Sequence, residues 1–451
     1  MSAISIHSRR TITPGGERDA FVLIKNGRIQ EVSDTAFEFE GLEALEAGST
    51  ILMPGIIDPH VHINEPGRAD WEGFDTATKA ALFGGITTLV DMPLNSSPVT
   101  TNLNALNEKL IAAKGQLHTD CGFWGGIVPG NQKDIQPLID NGILGFKAFL
   151  THSGIDDFPN VTEEDLRKAM PIIAASGLPL LVHCELESGT DLRSGNSRSY
   201  NNYLLSRPKE WEVNAIKLMI RLCNEFHCRV HIVHLSSADS LPLIEEAKHK
   251  GLPLTVETGQ HYLYFNAEDI ADGQTQHKCA PPIRGADNKE KLWTALKSGL
   301  IDFVATDHSP APPALKLTGS GDFMKAWGGI ASLQFALPAL WSPAKERNCP
   351  VSDISKWLSS NPAKLIGTDQ TKGRIQKGYV ADLVIWNEEE SFTVSEDIIQ
   401  HKHKLCPYIR ETLHGVVHQT YLHGEKVFDN GNVILNKGKV IKNYDTAHEP
   451  K

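Results

Sequence analysis

The sequence lacks the features that would place its product in a membrane or on nucleic acid. No apolar run approaches the roughly 20 residues that a membrane-spanning helix needs, and the first residues contain no apolar core of a secretion signal. Acidic residues outnumber basic ones by 55 to 44, so the charge balance favours neither nucleic acid nor anionic lipid as a partner. We therefore expect a soluble intracellular protein, cytoplasmic by default, with a mitochondrial or peroxisomal location left open.

Cysteines are few, scattered and odd in number. The seven residues form no C-x-x-C pair, which favours a reducing compartment over a disulfide framework. Short repeats, coiled-coil heptads and low-complexity segments are also missing. What is present is an ordinary balance of 40% apolar and 22% charged residues, typical of a protein with a large core.

The two ends of the chain carry similar β-rich patterns. In residues 1–53, "AFVLIKNGRIQEVS" alternates apolar and polar residues around Asn26-Gly27, which is a strong hairpin signal. In residues 371–451, "ADLVIWNEE" and "QTYLHGEKVFDNGNVI" are short strand patterns separated by turn residues. We predict one small β-sandwich domain assembled from both termini, with a second domain over residues 54–370 between them.

The middle of the chain alternates between buried-strand and helical patterns. Several of the helical patterns, such as "TEEDLRKAMPIIAASG", end in glycine, as helices commonly do. Eight strand patterns, each followed by one of seven helical patterns or by a long loop, predict an α/β fold of the (β/α)₈ TIM-barrel type, with an open doubly wound sheet as the alternative. No G-x-G-x-x-G follows the first strand to favour that alternative. The predicted strands cover residues 51–57, 87–91, 121–128, 143–150, 179–184, 230–235, 252–258 and 301–306.

Chemistry-bearing side chains recur at the ends of these strands, where barrel enzymes carry their active sites. In "DPHVHINEPGR" two histidines stand one residue apart at the end of an apolar run, so both imidazoles leave the strand on one face. A single histidine of this kind is as often a core residue, and we place His231 in that class, but the joint pattern indicates a metal centre. The candidate ligands are His60, His62, Lys147, His183, His234 and Asp307.

Lys147 is the least expected member, because an ammonium inside an apolar strand is costly to bury. A buried neutral amine can react with CO₂ to form a carbamate, and this anion would explain a lysine among histidines that surround cations. Two divalent ions would activate a water and polarise a carbonyl or phosphoryl group. Imidazole and carboxylate ligands favour zinc, with manganese, cobalt and iron left open. Asp307 would take the proton of that water and return it to the leaving group in a hydrolysis of a C–N or P–O bond.

This set of residues resembles the amidohydrolase superfamily, in the cyclic-amidohydrolase branch of dihydroorotases, hydantoinases (dihydropyrimidinases) and allantoinases. The resemblance covers nearly the whole chain and implies a binuclear metal centre bridged by carboxylated Lys147 in "GFKAF". Stretches such as "HVHINEPGRADWEGF", "DMPLNSSP", "KCAPPIR" and "ATDHSP" resemble the allantoinases, which open the hydantoin ring of allantoin to allantoate in purine breakdown. The resemblance also implies a small-molecule substrate and a homotetramer.

Two positions separate the branches. Dihydroorotases usually carry a carboxylate-binding arginine two residues after the second histidine, where this chain has Asn64. Hydantoinases usually carry a tyrosine soon after the lysine, where this chain has His152 and Ser153. The sequence departs from the allantoinase pattern at "ETGQH", where Glu-Thr-Cys-Pro-His is frequent, and at Ala311, where cysteine is common.

The resemblance also suggests substrate contacts and two other functions. The expected contacts are Asn95, Asn64 and backbone groups near Ala280 and Gly328. A hydantoinase or dihydropyrimidinase is the alternative enzyme. A non-catalytic assembly protein of the same fold is the alternative from another class, but it would be expected to have lost ligands that this chain keeps.

Overall fold

The computed structural model describes residues 3–188 and 195–446, with the backbone alone for residues 445 and 446. Within these residues the chain forms one mixed sheet from its two ends and two arcs of parallel strands from its middle. The helices of the described part are all too short or too polar to span a bilayer. All seven cysteines are buried as thiols.

The first five strands belong to the mixed sheet. Asn26 and Gly27 both have positive φ, 53° and 75°, and form the two-residue turn that their sequence predicts for a hairpin. The strands are β1 (Ala3–Thr13), β2 (Gly16–Lys25), β3 (Arg28–Ser33), β4 (Leu42–Glu46) and β5 (Ile51–Pro54).

The middle strands are parallel and alternate with helices, as predicted for an α/β fold. Hydrogen bonding divides them into one arc of three strands, β6 to β8, and one of six, β9 to β14. The strands are β6 (Ile56–Val61), β7 (Ile86–Asp91), β8 (Asp120–Phe123), β9 (Gly125–Gly126), β10 (Phe146–Phe149), β11 (Leu180–His183), β12 (Val230–Ile232), β13 (Leu254–Gly259) and β14 (Phe303–Ala305).

The predicted first strand, residues 51–57, is wrong in its extent. The chain changes sheet at Gly55, so that β5 pairs with the terminal sheet and β6 opens the parallel series. A Cβ at Gly55 would lie 2.3 Å from Oγ1 of Thr87, so the close passage there requires glycine. Hydrophobicity could not reveal the break because both halves are buried.

The two arcs meet at both of their edges. Between β8 and β9 stands only Trp124, whose backbone N–H donates to the carbonyl of Asp91 at 3.0 Å. At the other edge the backbone N–H of His62 donates to the carbonyl of His308 at 2.8 Å. The buried carboxylate of Asp58 also accepts hydrogen bonds from the backbone and hydroxyl of Thr306. The first and last strands of the series therefore lie side by side.

Seven helices correspond to the seven predicted patterns: α1 to α4, α6, α7 and α9. Gly177 and Gly299 end α4 and α9 in the left-handed region, with φ of 71° and 81°. The prediction missed α11, because its residues 336–344 are all buried and no polar face marks the helical period. The helices are α1 (Phe74–Phe83), α2 (Leu103–Ala113), α3 (Gln132–Asp140), α4 (Glu163–Ser176), α5 (Tyr200–Leu205), α6 (Lys209–Phe226), α7 (Leu241–His249), α8 (Gln260–Tyr264), α9 (Ala286–Ser298), α10 (Pro313–Lys316), α11 (Ala336–Glu346), α12 (Val351–Ser355) and α13 (Asn361–Leu365).

Four further strands complete the terminal sheet: β15 (Leu383–Thr393), β16 (Thr412–Leu422), β17 (Glu425–Asp429) and β18 (Asn432–Val433). β15 pairs with β5, so the two ends of the chain share one sheet as predicted. The pairing gives one continuous nine-stranded sheet, in the order β18-β17-β16-β15-β5-β1-β2-β3 with β4 on β1. After β18 the chain leaves this sheet, and residues 438–441 lie along Cys121 of β8 as a tail.

A buried ion network joins the terminal sheet to the parallel strands. The ammonium of Lys372 donates to Asp120 of β8 at 2.7 Å and to Asp382, which immediately precedes β15. His423, after β16, contacts the other oxygen of Asp120 at 3.0 Å. Burial alone would raise the pKa of Asp120, but Lys372 and His423 hold it well below its usual value.

We predict that Lys372→Met destabilises the protein by about 3–5 kcal/mol, because two buried carboxylates lose their cation. Chemical denaturation near neutral pH measures the change, with the exposed Lys377→Met as the control. A carboxyl group whose pKa is lower in the folded than in the unfolded protein stabilises the fold at pH values above its unfolded pKa. This contribution is lost as the pH falls through the pKa of the folded state. The difference between wild type and Lys372→Met should therefore shrink as the pH falls below 3.8 towards about 2. Equal stability of the two variants near neutral pH would contradict this role.

Candidate metal centre

Three of the predicted ligands converge at the edge where β6 meets the segment after β14. Nε2 of His60 lies 3.2 Å, and Nε2 of His62 lies 3.5 Å, from Oδ1 of Asp307. Ligand atoms about 2.1 Å from a tetrahedral zinc ion lie about 3.4 Å apart. The three side chains are buried, and their donor atoms lie within 4.8 Å of one another, so their spacing fits a shared metal ion.

His183 and His234 form a second donor pair beside the first. Nδ1 of His183 and Nε2 of His234 face each other at 3.0 Å. The rings of His234 and His60 have their centroids 5.3 Å apart, which brings the pair next to the first three ligands. The ring of His183 stacks on Phe149, with centroids 4.6 Å apart and planes 14° apart. Two nitrogens aimed at each other in this way suit a second cation.

Lys147 lies inside β10 with no exposed surface. Within the described part of the chain, its Nζ is buried without a hydrogen-bond partner, 4.9 Å from the ring centroid of Phe149. Burial lowers the pKa of Lys147 to about 8. An unpartnered buried amine is costly, so this atom is the strongest sign that the site is completed by a group beyond the protein's own side chains.

The charge states of the other groups suit metal binding. Burial lowers the pKa of His62 to about 4 and that of His234 well below its usual value, so both imidazoles are neutral near pH 7. Burial alone would raise the pKa of Asp307, but the adjacent His60 and His62 hold it well below the usual range. The site therefore combines neutral nitrogen donors with one carboxylate anion.

Left-handed backbone conformations concentrate at this site. His234 and Asp307 have φ of 38° and 47°, and Asn64 and Asn95 have φ of 67° and 68°. Such conformations are uncommon outside glycine and cost of order 1–3 kcal/mol for residues other than asparagine. They turn the side chains at the strand ends away from the directions that a regular strand would impose.

Two carboxylates that the sequence prediction missed orient the imidazoles. Nδ1 of His60 donates to Glu257 of β13, which leaves Nε2 of His60 facing Asp307. Glu257 also accepts from His231 at 3.1 Å, so His231 supports the site without being part of it, in keeping with its interpretation as a core residue. Glu257 stands inside a buried strand, so the argument applied to Lys147 could have identified it.

The second carboxylate, Glu185, follows β11. Nε2 of His183 donates to Glu185 at 2.7 Å, so that Nδ1 is the nitrogen left towards His234. Arg207 binds both oxygens of Glu185. The sequence gives no local sign of this pairing, because Arg207 lies between α5 and α6 and reaches Glu185 only in the folded chain.

His308, next to Asp307 in the sequence, is used differently. Its Nδ1 accepts from the backbone N–H groups of Ser332 and Leu333, the first at 3.0 Å. Its Nε2 lies 3.3 Å from Glu72. His308 therefore fixes the chain after β14 and leaves Asp307 as the residue directed to the site.

A cavity of ≈ 770 Å³ opens over the candidate ligands. Asn95, Ala280 and Gly328 line it, as their predicted contact with substrate requires. Nδ2 of Asn95 also lies 3.3 Å from Nδ1 of His62, so this amide orients a ligand as well. Asn64 is not among the lining residues. It donates to the carbonyl of Pro310 at 3.2 Å, because its left-handed backbone turns the side chain into the loop.

Comparison with known proteins gives consistent results. A model of the amidohydrolase family matches residues 51–427. An allantoinase of Streptomyces avermitilis is 45% identical, covering 97% of this chain and 98% of the relative. An allantoinase of Arabidopsis thaliana is 44% identical, covering 94% and 88%. Among solved structures, an L-hydantoinase (dihydropyrimidinase) from Arthrobacter aurescens superposes with a TM-score of 0.91 at 29% identity, covering 98% of this chain and all of that one.

We predict that Glu257→Gln lowers the affinity for metal by about 10- to 100-fold, because the imidazole of His60 loses its anionic partner. Competition with a chelator measures this affinity without reference to activity. Glu268→Gln is the control, since among the described residues Glu268 accepts hydrogen bonds only from the backbone N–H of Ala286, the first residue of α9. An unchanged metal affinity in Glu257→Gln would show that His60 needs no such partner.

Proposed function

Because this chain belongs to the amidohydrolase family, we propose that it hydrolyses the cyclic amide bond of allantoin to give allantoate, a step in purine breakdown. The observation that carries the proposal is the gathering of four imidazoles and a carboxylate at one cavity. Behind them lies the buried amine of Lys147, 4.9 Å from the ring centroid of Phe149 and without a hydrogen-bond partner among the described residues. This gathering occurs in a chain that matches allantoinases over 94–97% of its length.

The fold also supports the proposal. With β8 and β9 counted as one strand, the two arcs make an eight-stranded (β/α)₈ barrel, which is supported by the contacts of Asp58 and His62 across the last gap. The terminal sheet folds over itself as a β-sandwich. Hydrogen bonds from Ala381 to Gly27 and from Gly424 to Ala381, which bring its distant strands together, support this arrangement.

The cavity residues fit a pair of divalent metal ions, for which zinc suits the nitrogen and oxygen donors best. We assign Lys147 as N6-carboxylysine, an anion that would occupy the interior where the amine has no hydrogen-bond partner among the described residues. The residues that would hold the ions are His60, His62, Lys147, His183, His234 and Asp307. When bound, such ions lower the pKa of a water and polarise a carbonyl.

The protein's own groups then handle protons and substrate. Asp307 accepts the proton lost by the attacking water and returns it to the ring nitrogen as the carbon–nitrogen bond breaks. The water oxygen stays on the carbonyl carbon as the new carboxylate of allantoate. Asn95 and the backbone at Ala280 and Gly328 hold the uncharged ring at the cavity wall.

A hydantoinase or dihydropyrimidinase is the second candidate, and the structural likeness to the Arthrobacter enzyme favours it. Against it, the loop after β10 lines the cavity with His152 and Ser153 where those enzymes usually place tyrosine. The retained ligands and the buried Lys147 oppose an assembly protein without catalysis. A homotetramer in the cytoplasm remains the expectation from the sequence and its resemblance, to be measured by light scattering and fractionation.

We predict that the metal-loaded protein turns over allantoin faster than dihydrouracil or dihydroorotate. The three substrates are assayed side by side at equal protein and metal concentrations. The reason is the absence of both the carboxylate-binding arginine at position 64 and the tyrosine near position 152. Fastest turnover of dihydrouracil would identify a dihydropyrimidinase instead.

We predict that Lys147→Ala abolishes both metal retention and activity. Short-chain carboxylic acids should partly restore both, because the acid would supply the anion in place of the carbamate. Metal content after gel filtration and allantoin turnover are the two measurements. Full activity of Lys147→Ala without any added acid would reject the bridging role.

A further inference from the structure

The segment that follows β14 forms one wall of the cavity through α10 and residues 324–329. Lys316, the last residue of α10, points inward and is buried. Its Nζ donates to three backbone carbonyls, those of Lys278 at 3.2 Å, Trp327 at 3.0 Å and Gly329 at 2.7 Å. One ammonium group thus ties two separate stretches of backbone together.

Lys278 in turn holds the same segment through two hydrogen bonds. Its Nζ donates to the carbonyls of Ala326 at 2.6 Å and Met324 at 3.3 Å. Its own carbonyl accepts from Nζ of Lys316 and also from the N–H of Gly329 at 2.8 Å. Each lysine therefore binds the stretch that carries the other, and we name this interlocked pair the lysine clasp.

The clasp uses ammonium groups in an unusual way. Among the described residues, neither Lys278 nor Lys316 has a carboxylate within 4.0 Å. Both ammonium groups donate to backbone carbonyls, and that of Lys278 also lies 5.0 Å from the ring centroid of Tyr203. A buried ammonium needs all its N–H groups bonded. The Nζ of Lys316 has three carbonyl acceptors, so one buried donor group holds three backbone carbonyls in place.

The stretches joined by the clasp carry the backbone groups that face the substrate. Ala280 and Gly328 are neighbours across the wall, since a Cβ at Gly328 would lie 4.0 Å from the backbone nitrogen of Ala280. Gly329 also passes so close to Ser309 that a Cβ would lie 2.4 Å from its carbonyl oxygen. The clasp thereby connects the wall to the segment that bears Asp307.

We propose that Lys278 and Lys316 are positioning residues that set the substrate-recognising wall and so determine affinity for the ring, independently of metal binding. The inference rests on the proposed function for the identity of the ring. The clasp acts through the backbone, and neither ammonium group takes part in proton transfer.

The test compares Lys316→Met with wild type. Methionine keeps the apolar stem and removes the three donors, so KM for allantoin should rise about tenfold or more while metal content stays unchanged and kcat changes less than KM. Lys289→Met is the matched control, because Lys289 donates to a single carbonyl, that of Tyr264, outside the cavity wall. Unchanged KM in Lys316→Met, or loss of metal together with activity, would overturn the proposal.

Chemical rescue separates a donor role from simple space filling. Added ethylammonium should lower the raised KM of Lys316→Ala, because it restores a cation with three N–H donors, whereas tetramethylammonium should not. Equal rescue by both ions would overturn the proposal. If the Lys316 variants fail to fold, Lys278→Met tests the same clasp through the loss of only two carbonyl contacts, with the same rise in KM expected.

A measurement without substrate keeps the proposed function separate. Hydrogen exchange over residues 313–329 should be faster in Lys316→Met, with exchange in β6 and β7 unchanged. If wild type fails to hydrolyse allantoin, the proposed function falls, while faster exchange confined to this wall still supports the clasp. Unchanged exchange there would overturn it.

Discussion

The site depends on one buried carboxylate, Asp307, held among imidazoles at the edge where the first and last parallel strands meet. A carboxylate without solvent needs compensating charge or hydrogen bonds, and His60 and His62 supply them only when β6 lies beside β14. A hydrogen bond from the hydroxyl of Thr306 to the buried carboxylate of Asp58 stabilises the same edge. The edge where the first and last parallel strands lie side by side is therefore also the place where these side chains come together.

The side chains at the site are themselves held in place by residues that surround them. Glu257 and Glu185 select which ring nitrogen of His60 and His183 faces inward. The lysine clasp joins two stretches of backbone that line the cavity. The residues that orient the imidazoles are therefore different from those that hold the cavity wall.

The terminal sheet supports this core at the opposite side of the strands from the cavity. Lys372 joins it to β8 through two carboxylates, and the C-terminal segment adds hydrogen bonds to Cys121. A hydantoinase of 29% identity superposes on 98% of this chain. The loop after β10 and the segment after β14 line the cavity, and loops on a rigid scaffold are the parts that vary most freely.

By itself the sequence determined the strand alternation, the hairpin at Asn26-Gly27 and the candidate ligands. Local patterns suffice there, because buried strands read as apolar runs and barrel chemistry sits at their ends. Tertiary structure alone decided the break at Gly55, the loop-facing side chain of Asn64, and the partners of Glu257, Glu185 and Lys316. These depend on close approach of distant backbone and on left-handed conformations, which no window of neighbouring residues encodes.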